Sequence, residues 1–276
     1  MIVSLVYRQL QNNIGGEGRV TKRILYIKPA AYDTMNKDIK EYLEKYKEDT
    51  TSIDVVSMPR GPKHLEYLYY QSIAYHEILK TVKVAENRGY DAAIIGCFDD
   101  PALFAAREIC ETMFVAGPAE ASMQLAATLG GSFSIIVGRD KWVPQMMDNV
   151  RRYGYADKLA SFRSLGLGVL EFQADPELTA RRIREEARNA IHQDKAEVVL
   201  LGCTMEYGFF EELQKELGIP IIDVMLAGLK HAEFLVGLKQ KMNWYTSKIL
   251  TYASPPAEEI REWNIAEDYD LGSIWE

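Results

Sequence analysis

The 276-residue sequence is poor in the residues and patterns that mark several large classes of protein. Lysine and arginine number 32 against 40 aspartate and glutamate residues, which gives a formal net charge of −8. This balance argues against a nucleic acid or an anionic membrane as the main partner, because both require a basic surface. A small anionic substrate is still compatible with it, since a single local cation can bind a carboxylate.

Cysteine is also scarce, with three residues in the chain, and the first residues lack the basic segment and cleavage site of a signal peptide. An odd, low number of cysteines without a secretory signal is typical of free thiols in a reducing compartment. We therefore expect a cytoplasmic protein. No apolar run approaches the ~20 residues that a membrane-spanning helix requires, so we expect no membrane segment.

The sequence contains none of the common cofactor-binding or metal-binding motifs: no GxGxxG after a strand, no P-loop and no HExxH. Asp99 and Asp100 are adjacent, but no histidine or third carboxylate stands near them at the spacing of a metal site. We therefore expect no metal site. We interpret the two carboxylates as caps for a helix that begins at Pro101.

Short apolar segments alternate with longer amphipathic segments along the chain. The apolar segments, interpreted as strands, are RILYI, IDVVSM, DAAIIG, MFVAG, SFSIIVG, EVVLLG and IPIID. The amphipathic segments with helical spacing include residues 65–87, 101–109, 120–129, 176–192 and 210–217. This alternation predicts an α/β fold with parallel strands, and the apolar character of the strands indicates sheets that are covered on both faces.

The chain also contains two similar stretches. AAIIGCFDDPALFAAREICETMFVAGPAEASMQLAA and VVLLGCTMEYGFFEELQKELGIPIIDVMLAGLKHAE both read as strand, Gly-Cys, loop, helix, strand, turn and helix. The segments upstream of them match in the same way. We infer two α/β lobes of similar topology over about residues 23–118 and 133–224, with chance similarity between βαβ units as the alternative.

Cys97 and Cys203 occupy the same place in the two copies, directly after the glycine that ends a predicted strand. The carboxyl ends of parallel strands form the ligand-binding edge of open α/β sheets. We expect both thiols to be partly exposed, with pKa values lowered by the N-terminus of the helix that follows. For one cysteine alone a structural role is the simpler interpretation, and we assign this role to Cys110, which has no counterpart in the second copy.

Two thiols that approach a bound molecule from opposite sides of a cleft between the lobes match one type of reaction. Inversion of a stereocentre by proton transfer requires one group that removes a proton and another that delivers one to the opposite face. The carbon must be acidified by an adjacent carbonyl, and the enolate oxygen needs hydrogen-bond donors. The candidate donors are the backbone N–H groups of Phe98, Asp99, Thr204 and Met205.

The stretches GCFDDPALFAAREI, VAGPAEASMQLAATLG, SFSIIVG, VVLLGCT and LGIPIIDVMLAGLKHAE resemble the hydantoin racemases of the aspartate/glutamate racemase superfamily. The resemblance extends from about Arg23 to Val236 and is most specific at the two cysteine motifs. It implies two pseudo-symmetric lobes, each a mostly parallel sheet flanked by helices, with the active site in the cleft between them. It also implies a homo-oligomeric racemase or epimerase without cofactor, which uses Cys97 and Cys203 on a small carbonyl substrate.

In such folds the chain crosses between the lobes. The resemblance therefore implies an N-terminal extension at residues 1–22, a first lobe of residues 23–117 and 224–276 that includes the C-terminal tail, and a second lobe of residues 118–223.

Two departures from the family pattern concern the substrate. Where relatives carry Asn-Pro-Asn-Thr after the first strand, this chain has Lys28 followed by Pro-Ala-Ala. Lys28 is either a clamp for a substrate carboxylate or a solvated surface lysine. After the second cysteine relatives have small residues, whereas this chain has Thr204-Met205-Glu206-Tyr207. This loop leaves the substrate open between a hydantoin-like ring and an amino-acid derivative.

Several further positions are carried over from the resemblance. Gly61 and Pro62 match a Gly-Pro pair that flanks the substrate in relatives, and His64 beside them is a substrate contact or a plain loop residue. Glu120 follows another Gly-Pro pair near a predicted helix start, where a carboxylate caps the helix favourably. Relatives also keep an acidic residue near the site, so Glu120 is a second candidate for substrate binding.

Three other functions stay open. The same scaffold supports decarboxylases and cis–trans isomerases, in which a single cysteine acts as proton donor or nucleophile. A non-catalytic binding protein would leave at least one thiol with an ordinary pKa. A redox pair would require the two sulfur atoms to lie within bonding distance.

Overall fold

The computed structural model describes residues 21–269 and 271, in which strands and helices alternate. Residues 1–20 of the predicted N-terminal extension lie outside the described residues, and Lys22 is already the first residue of a strand. Within the described residues the strands are β1 (Lys22–Lys28), β2 (Thr51–Ser57), β3 (Ala92–Ile95), β4 (Phe114–Ala116), β5 (Phe133–Val137), β6 (Leu159–Ser164), β7 (Val198–Leu201) and β8 (Ile221–Asp223). The α-helices are α1 (Asn36–Tyr46), α2 (Leu68–Asn87), α3 (Leu103–Ile109), α4 (Pro118–Leu129), α5 (Val143–Arg152), α6 (Pro176–His192), α7 (Phe210–Leu217), α8 (Val224–Met242), α9 (Ala257–Glu262) and α10 (Ile265–Asp268).

The first four strands form a parallel sheet with the order β2-β1-β3-β4. Residues 24–27 of β1 and all of β3 and β4 are buried, so these strands are covered on both faces. This burial explains why their sequences are apolar throughout. The register pairs Ile27 with Ile95, which brings the carboxyl ends of β1 and β3 to the same edge.

The last four strands form a second parallel sheet with the order β6-β5-β7-β8. Strands β5, β7 and β8 are buried over their whole length, and Ile136 pairs with Leu201 near the carboxyl ends of β5 and β7. The two sheets have the same strand order, since each strand of the second sheet corresponds to the strand four earlier in the first. The predicted α/β fold with two similar parallel sheets is confirmed.

The chain divides into two compact units, whose boundaries decide where the first cysteine belongs. Of the described residues, the first unit contains those up to residue 95, residues 101–116 and those from residue 232 onward, and the second contains residues 96–100 and 117–231. The short segment that carries Cys97 therefore belongs to the second unit, although it follows β3 of the first. The lobe boundaries inferred from the sequence stay a prediction.

The sequence analysis missed strand β6. This strand lies at the edge of its sheet, and all six of its residues are half-buried. Its sequence LASFRS mixes apolar and polar residues, so it lacks the apolar run that marks the other strands. Two of its side chains are fixed by Asp194: the Arg163 guanidinium donates to both carboxylate oxygens at 2.7 Å, and the Ser161 hydroxyl donates at 2.5 Å.

The predicted helices agree with the structure more closely in the second unit than in the first. Helices α6 and α7 have the predicted bounds. Helix α3 begins at Leu103 rather than at Pro101, because Ala102 has a φ of 59°, in the left-handed region. An L residue in this conformation cannot belong to a right-handed helix.

Within residues 21–269 and 271, no helix is both long enough and apolar enough to span a membrane. In the same part of the chain, no group of three or more His, Cys, Asp or Glu side chains is arranged to hold a metal ion.

We predict that Asp194→Asn weakens the attachment of β6. The guanidinium of Arg163 holds the pKa of Asp194 below its usual value, so the carboxylate is ionised and accepts charge-assisted hydrogen bonds. We expect the free energy of unfolding to fall by about 1–2 kcal/mol in urea denaturation. The control is Asp157→Asn at an exposed position, and an equal effect in both variants would contradict the role given to Asp194.

Candidate active site

Cys97 and Cys203 lie at equivalent places in the two sheets. Each follows a glycine that comes directly after a fully buried strand, β3 for Cys97 and β7 for Cys203. Both residues are half-buried, and both are free thiols. The expectation of partly exposed thiols at the carboxyl ends of parallel strands is therefore confirmed.

A hydrogen bond joins the two cysteine loops. The hydroxyl of Thr204, which follows Cys203, donates to the carbonyl oxygen of Gly96, which precedes Cys97, at 3.0 Å. The two loops belong to the same compact unit. Cys97 is close enough to Cys203 that negative charge on it raises the pKa of the Cys203 thiol. The structure thus brings together the two thiols that the sequence singled out.

The environment of Cys97 disfavours the thiolate. Burial raises the pKa of Cys97 well above the usual 9.0, and the charges of Asp99 and Asp100 raise it further. The backbone N–H of Asp99 acts in the opposite direction. The expected lowering of the pKa by a following helix is therefore wrong for this thiol. The helix N-terminus that was expected to lower this pKa does not directly follow Cys97, since α3 begins only at Leu103.

The environment of Cys203 also disfavours the thiolate. Burial raises the pKa of Cys203 well above 9.0, and the charge of Glu206 is the next largest cause. Cys203 precedes a single 3₁₀ turn, Thr204–Glu206, and its Sγ accepts the backbone N–H of Met205 at 3.5 Å. That contact lowers the pKa but does not outweigh burial. The prediction of a lowered pKa is wrong here too.

The four predicted enolate donors divide into two pairs. The N–H groups of Asp99 and Met205 act on the sulfur atoms of the preceding cysteines. Phe98 and Thr204 directly follow the cysteines, and their side chains are buried, as is that of Met205.

Asp100 has a different role from the one predicted. Its carboxylate accepts the backbone N–H groups of Ala119 and Glu120 at 3.0 Å and the Tyr153 hydroxyl at 2.7 Å, so it caps α4 rather than a helix that starts at Pro101. Burial raises the pKa of Asp100 to about 7, although these three donors lower it.

The neighbours of Asp100 are adapted to this arrangement. A Cβ added to Gly117 would lie 2.4 Å from Cγ of Asp100, so only glycine fits there. Asp99 is fixed through its carbonyl oxygen, which accepts the Asn149 side-chain amide at 2.8 Å. Glu120 is half-buried in the first turn of α4, where Asp100 and not Glu120 supplies the cap to the backbone N–H groups.

Lys28 is the last residue of β1 and is 4% exposed, so the alternative of a solvated surface lysine is wrong. Its Nζ lies 3.5 Å from the ring centroid of Tyr32 and has no hydrogen-bond partner within the described part of the chain. Burial lowers the pKa of Lys28 to about 8, against the charge of Asp33, which raises it. At neutral pH the group is a buried cation whose hydrogen-bonding capacity is unused.

The predicted Gly61-Pro62 pair lies beside the loop that follows Lys28. The carbonyl oxygen of Pro62 accepts the N–H of Ala31 at 2.8 Å, and Gly61 has a φ of +124°, which favours glycine. His64 packs against Tyr70, with ring centroids 5.3 Å apart. The end of β1 at Lys28 and the Gly61-Pro62 loop are thus neighbours in the first unit.

Comparison with known proteins identifies the family. A family model described as Asp/Glu/Hydantoin racemase matches residues 24–232, which include both cysteine loops. The chain belongs to this racemase family. It is 35% identical over 237 residues to a hydantoin racemase from Pseudomonas sp. (strain NS671), covering 86% of this chain and 93% of that protein.

Solved structures share the fold of this chain. The allantoin racemase from Klebsiella pneumoniae has a TM-score of 0.80 at 28% identity, over 86% of this chain and 94% of that one. An arylmalonate decarboxylase has a TM-score of 0.62 at 16% identity, over 79% and 93%, and shares the fold alone. The protein is therefore an isomerase of the racemase type, as the sequence resemblance implied.

Several groups around the two cysteine loops are marked weakly or not at all in the sequence. Tyr153 and Asn149 lie about 50 residues from the Asp99-Asp100 pair that they contact, and no motif marks them. Glu206 was visible only as an acidic residue in an unusual loop, whereas the structure places it among the buried residues beside Cys203.

We predict that Gly117→Ala displaces the Asp100 carboxylate and costs about 1–3 kcal/mol of unfolding free energy, through lost hydrogen bonds to α4. In a double-mutant cycle measured by denaturant unfolding, the same change in an Asp100→Ala background should cost much less.

The control is Gly237→Ala in α8, where the nearest atom to an added Cβ is 3.9 Å away and alanine favours the helix. Equal costs of Gly117→Ala in both backgrounds would refute the proposed clash.

Proposed function

We propose that this enzyme racemises a hydantoin-like ring or a related amino-acid derivative by proton transfer between Cys97 and Cys203, without a cofactor. The observation that carries the proposal is the hydrogen bond from Thr204 to Gly96, which ties the two thiol-bearing loops of a racemase-family chain together. The names of the relatives, hydantoin racemase and allantoin racemase, support a cyclic ureide as substrate.

The proposed reaction inverts a carbon next to a carbonyl group. The thiolate of one cysteine removes the proton, and the electron pair passes into the carbonyl to form an enolate. The thiol of the other cysteine then donates its proton to the opposite face, so that the charge on the pair moves from one sulfur to the other. No atom is gained or lost, and the reverse direction uses the same groups with their roles exchanged.

Such a mechanism requires that the two thiols, Cys97 and Cys203, together carry one proton. Mutual repulsion supports this state, because a thiolate at Cys97 raises the pKa of Cys203. The pair therefore loses its protons in two separate steps, and between these steps it contains one base and one acid. Burial raises both pKa values, so this state forms on the alkaline side of neutrality.

The backbone supports the negative charge that develops on the substrate. We assign the N–H groups of Phe98 and Thr204 to the enolate oxygen, because those of Asp99 and Met205 already act on the sulfur atoms. Asp99 and Met205 then shape the two loops, and Glu120 at the start of α4 is a further candidate contact.

Lys28 is proposed to bind a carboxylate on the substrate. A buried ammonium group without a hydrogen-bond partner is costly, and an anionic ligand would supply both charge and acceptors. The neighbouring Gly61 and Pro62 would border that part of the substrate, since Pro62 fixes the loop after Lys28. We therefore expect a preference for ring substrates with an acidic side chain.

We also propose that the enzyme is a cytoplasmic homo-oligomer. Three free cysteines fit a reducing compartment such as the cytoplasm. A homo-oligomer is the assembly that the family resemblance implies.

We predict that Cys97→Ser and Cys203→Ser each reduce racemisation of a substituted hydantoin by at least about 10³-fold, since a serine hydroxyl is too weak a base. Each variant should still exchange the α-proton of one enantiomer with D₂O, because the remaining thiol serves one face. Polarimetry and ¹H NMR measure the two reactions.

Cys110→Ala is the matched control, since Cys110 is buried at the end of α3 and should leave the rate unchanged. Full two-way turnover in either single variant, or release of CO₂ from the substrate, would rule out the two-thiol racemase.

We predict that Lys28→Met raises KM at least about tenfold for hydantoins with a carboxylate side chain and changes it little for hydantoins with an alkyl side chain. Because the pKa of Lys28 is about 8, the preference of the native enzyme for the acidic substrate should weaken as the ammonium loses its proton above that pH.

Lys28→Arg keeps the charge and should retain part of the preference. An equal change in KM for both substrates in Lys28→Met would show that Lys28 has only a structural role.

A further inference from the structure

Glu206 is a buried carboxyl group with an unusual lack of hydrogen bonds. It is 0% exposed, and neither of its carboxyl oxygens has a hydrogen-bond partner among residues 21–269 and 271. An ionised carboxylate in such a place would be strongly destabilised. The arrangement therefore favours the protonated, neutral form of Glu206.

A second carboxylate nearby acts in the same direction. Asp223 accepts the backbone N–H groups of Gly208, Met225 and Leu226 at 2.9 to 3.3 Å, so its charge is well stabilised. Burial and then the charge of Asp223 raise the pKa of Glu206 well above 4.5, and the nearby backbone amide of Cys203 opposes them. Of the two acids, Asp223 carries the charge and Glu206 the proton.

Glu206 is also tied to Cys203. Glu206 is the last residue of the 3₁₀ turn that follows Cys203, and its N–H donates to the carbonyl oxygen of Cys203 at 2.9 Å. After burial, a negative charge on Glu206 is the largest cause that raises the pKa of the Cys203 thiol. The other charges that act on this thiol are those of Cys97 and Asp99, from the loop after β3.

We propose that Glu206 is a positioning residue that controls the ionisation of Cys203: its protonated form permits the thiolate, and its ionised form holds the thiol. A negative charge on Glu206 makes loss of the proton from Cys203 harder, and a thiolate at Cys203 makes loss of the proton from Glu206 harder. The consequence for catalysis rests on the proposed function, whereas the effect on the thiol does not.

The test is the variant Glu206→Gln, which keeps the shape of the side chain and cannot ionise. The rate at which iodoacetamide alkylates Cys203 is measured against pH, with the labelled residue identified by mass spectrometry. At a pH where Glu206 is protonated the two proteins should react alike. Above the pH at which Glu206 ionises, the variant should react up to roughly tenfold faster, which corresponds to a shift of that part of the profile to lower pH by about one unit. In an active enzyme the alkaline rise of kcat/KM should shift in the same direction.

Glu212→Gln, at an exposed position of α7, is the matched control and should leave the profile unchanged. Should Glu206→Gln fail to fold, the native protein labelled with ¹³C at the glutamate carboxyl carbons provides a second test. One glutamate signal should then show a protonated carboxyl at pH 7 and titrate well above the others.

An unshifted alkylation profile in folded Glu206→Gln, or an ionised state of every glutamate at pH 7, would overturn the inference. Failure of the racemase assay with a shifted alkylation profile would contradict the proposed function and leave the control of Cys203 by Glu206 standing.

Discussion

The site depends on one structural constraint: each of two buried parallel strands is followed by a loop that carries a cysteine, and a hydrogen bond joins the two loops. Strands β3 and β7 are fully buried and apolar, so the reactive side chains, the two thiols, come only after the strands end. The bond from Thr204 to Gly96 then holds the loops in contact. A fold without that contact would present two unrelated buried thiols.

Acidic groups surround both cysteines, which is unusual for a site in which a thiolate is proposed as the base. Asp99 and Asp100 act against ionisation of Cys97, and Glu206 acts against ionisation of Cys203. A pair with lowered pKa values would lose both protons at neutral pH and leave no acid. Buried acids on both sides keep protons on the pair, and the repulsion between the sulfur atoms separates their two ionisations.

The features that were predictable from the sequence are those that depend on local patterns. Buried strands are visible as apolar runs, and the repeat placed Cys97 and Cys203 in equivalent loops. Strand β6 was missed because an edge strand with half-buried residues has no such run. The thiol pKa values were predicted with the wrong sign, because burial outweighs the local backbone and depends on contacts far apart in sequence.

Long-range contacts also explain the other errors. Asp100 looked like a cap for the next helix, yet its carboxylate reaches α4 some 20 residues later, and Tyr153 completes it. Lys28 carries a charge that usually indicates the surface, and only the packing of the loop after β1 shows that it is buried.

The central claim, that two thiols exchange protons with opposite faces of one carbon, is tested most directly by racemisation in D₂O at early times. The account predicts that the product enantiomer carries deuterium at the inverted carbon from the first turnovers, while the remaining substrate stays protiated. Product that forms with its original proton would mean that a single base returns it, and would contradict the account.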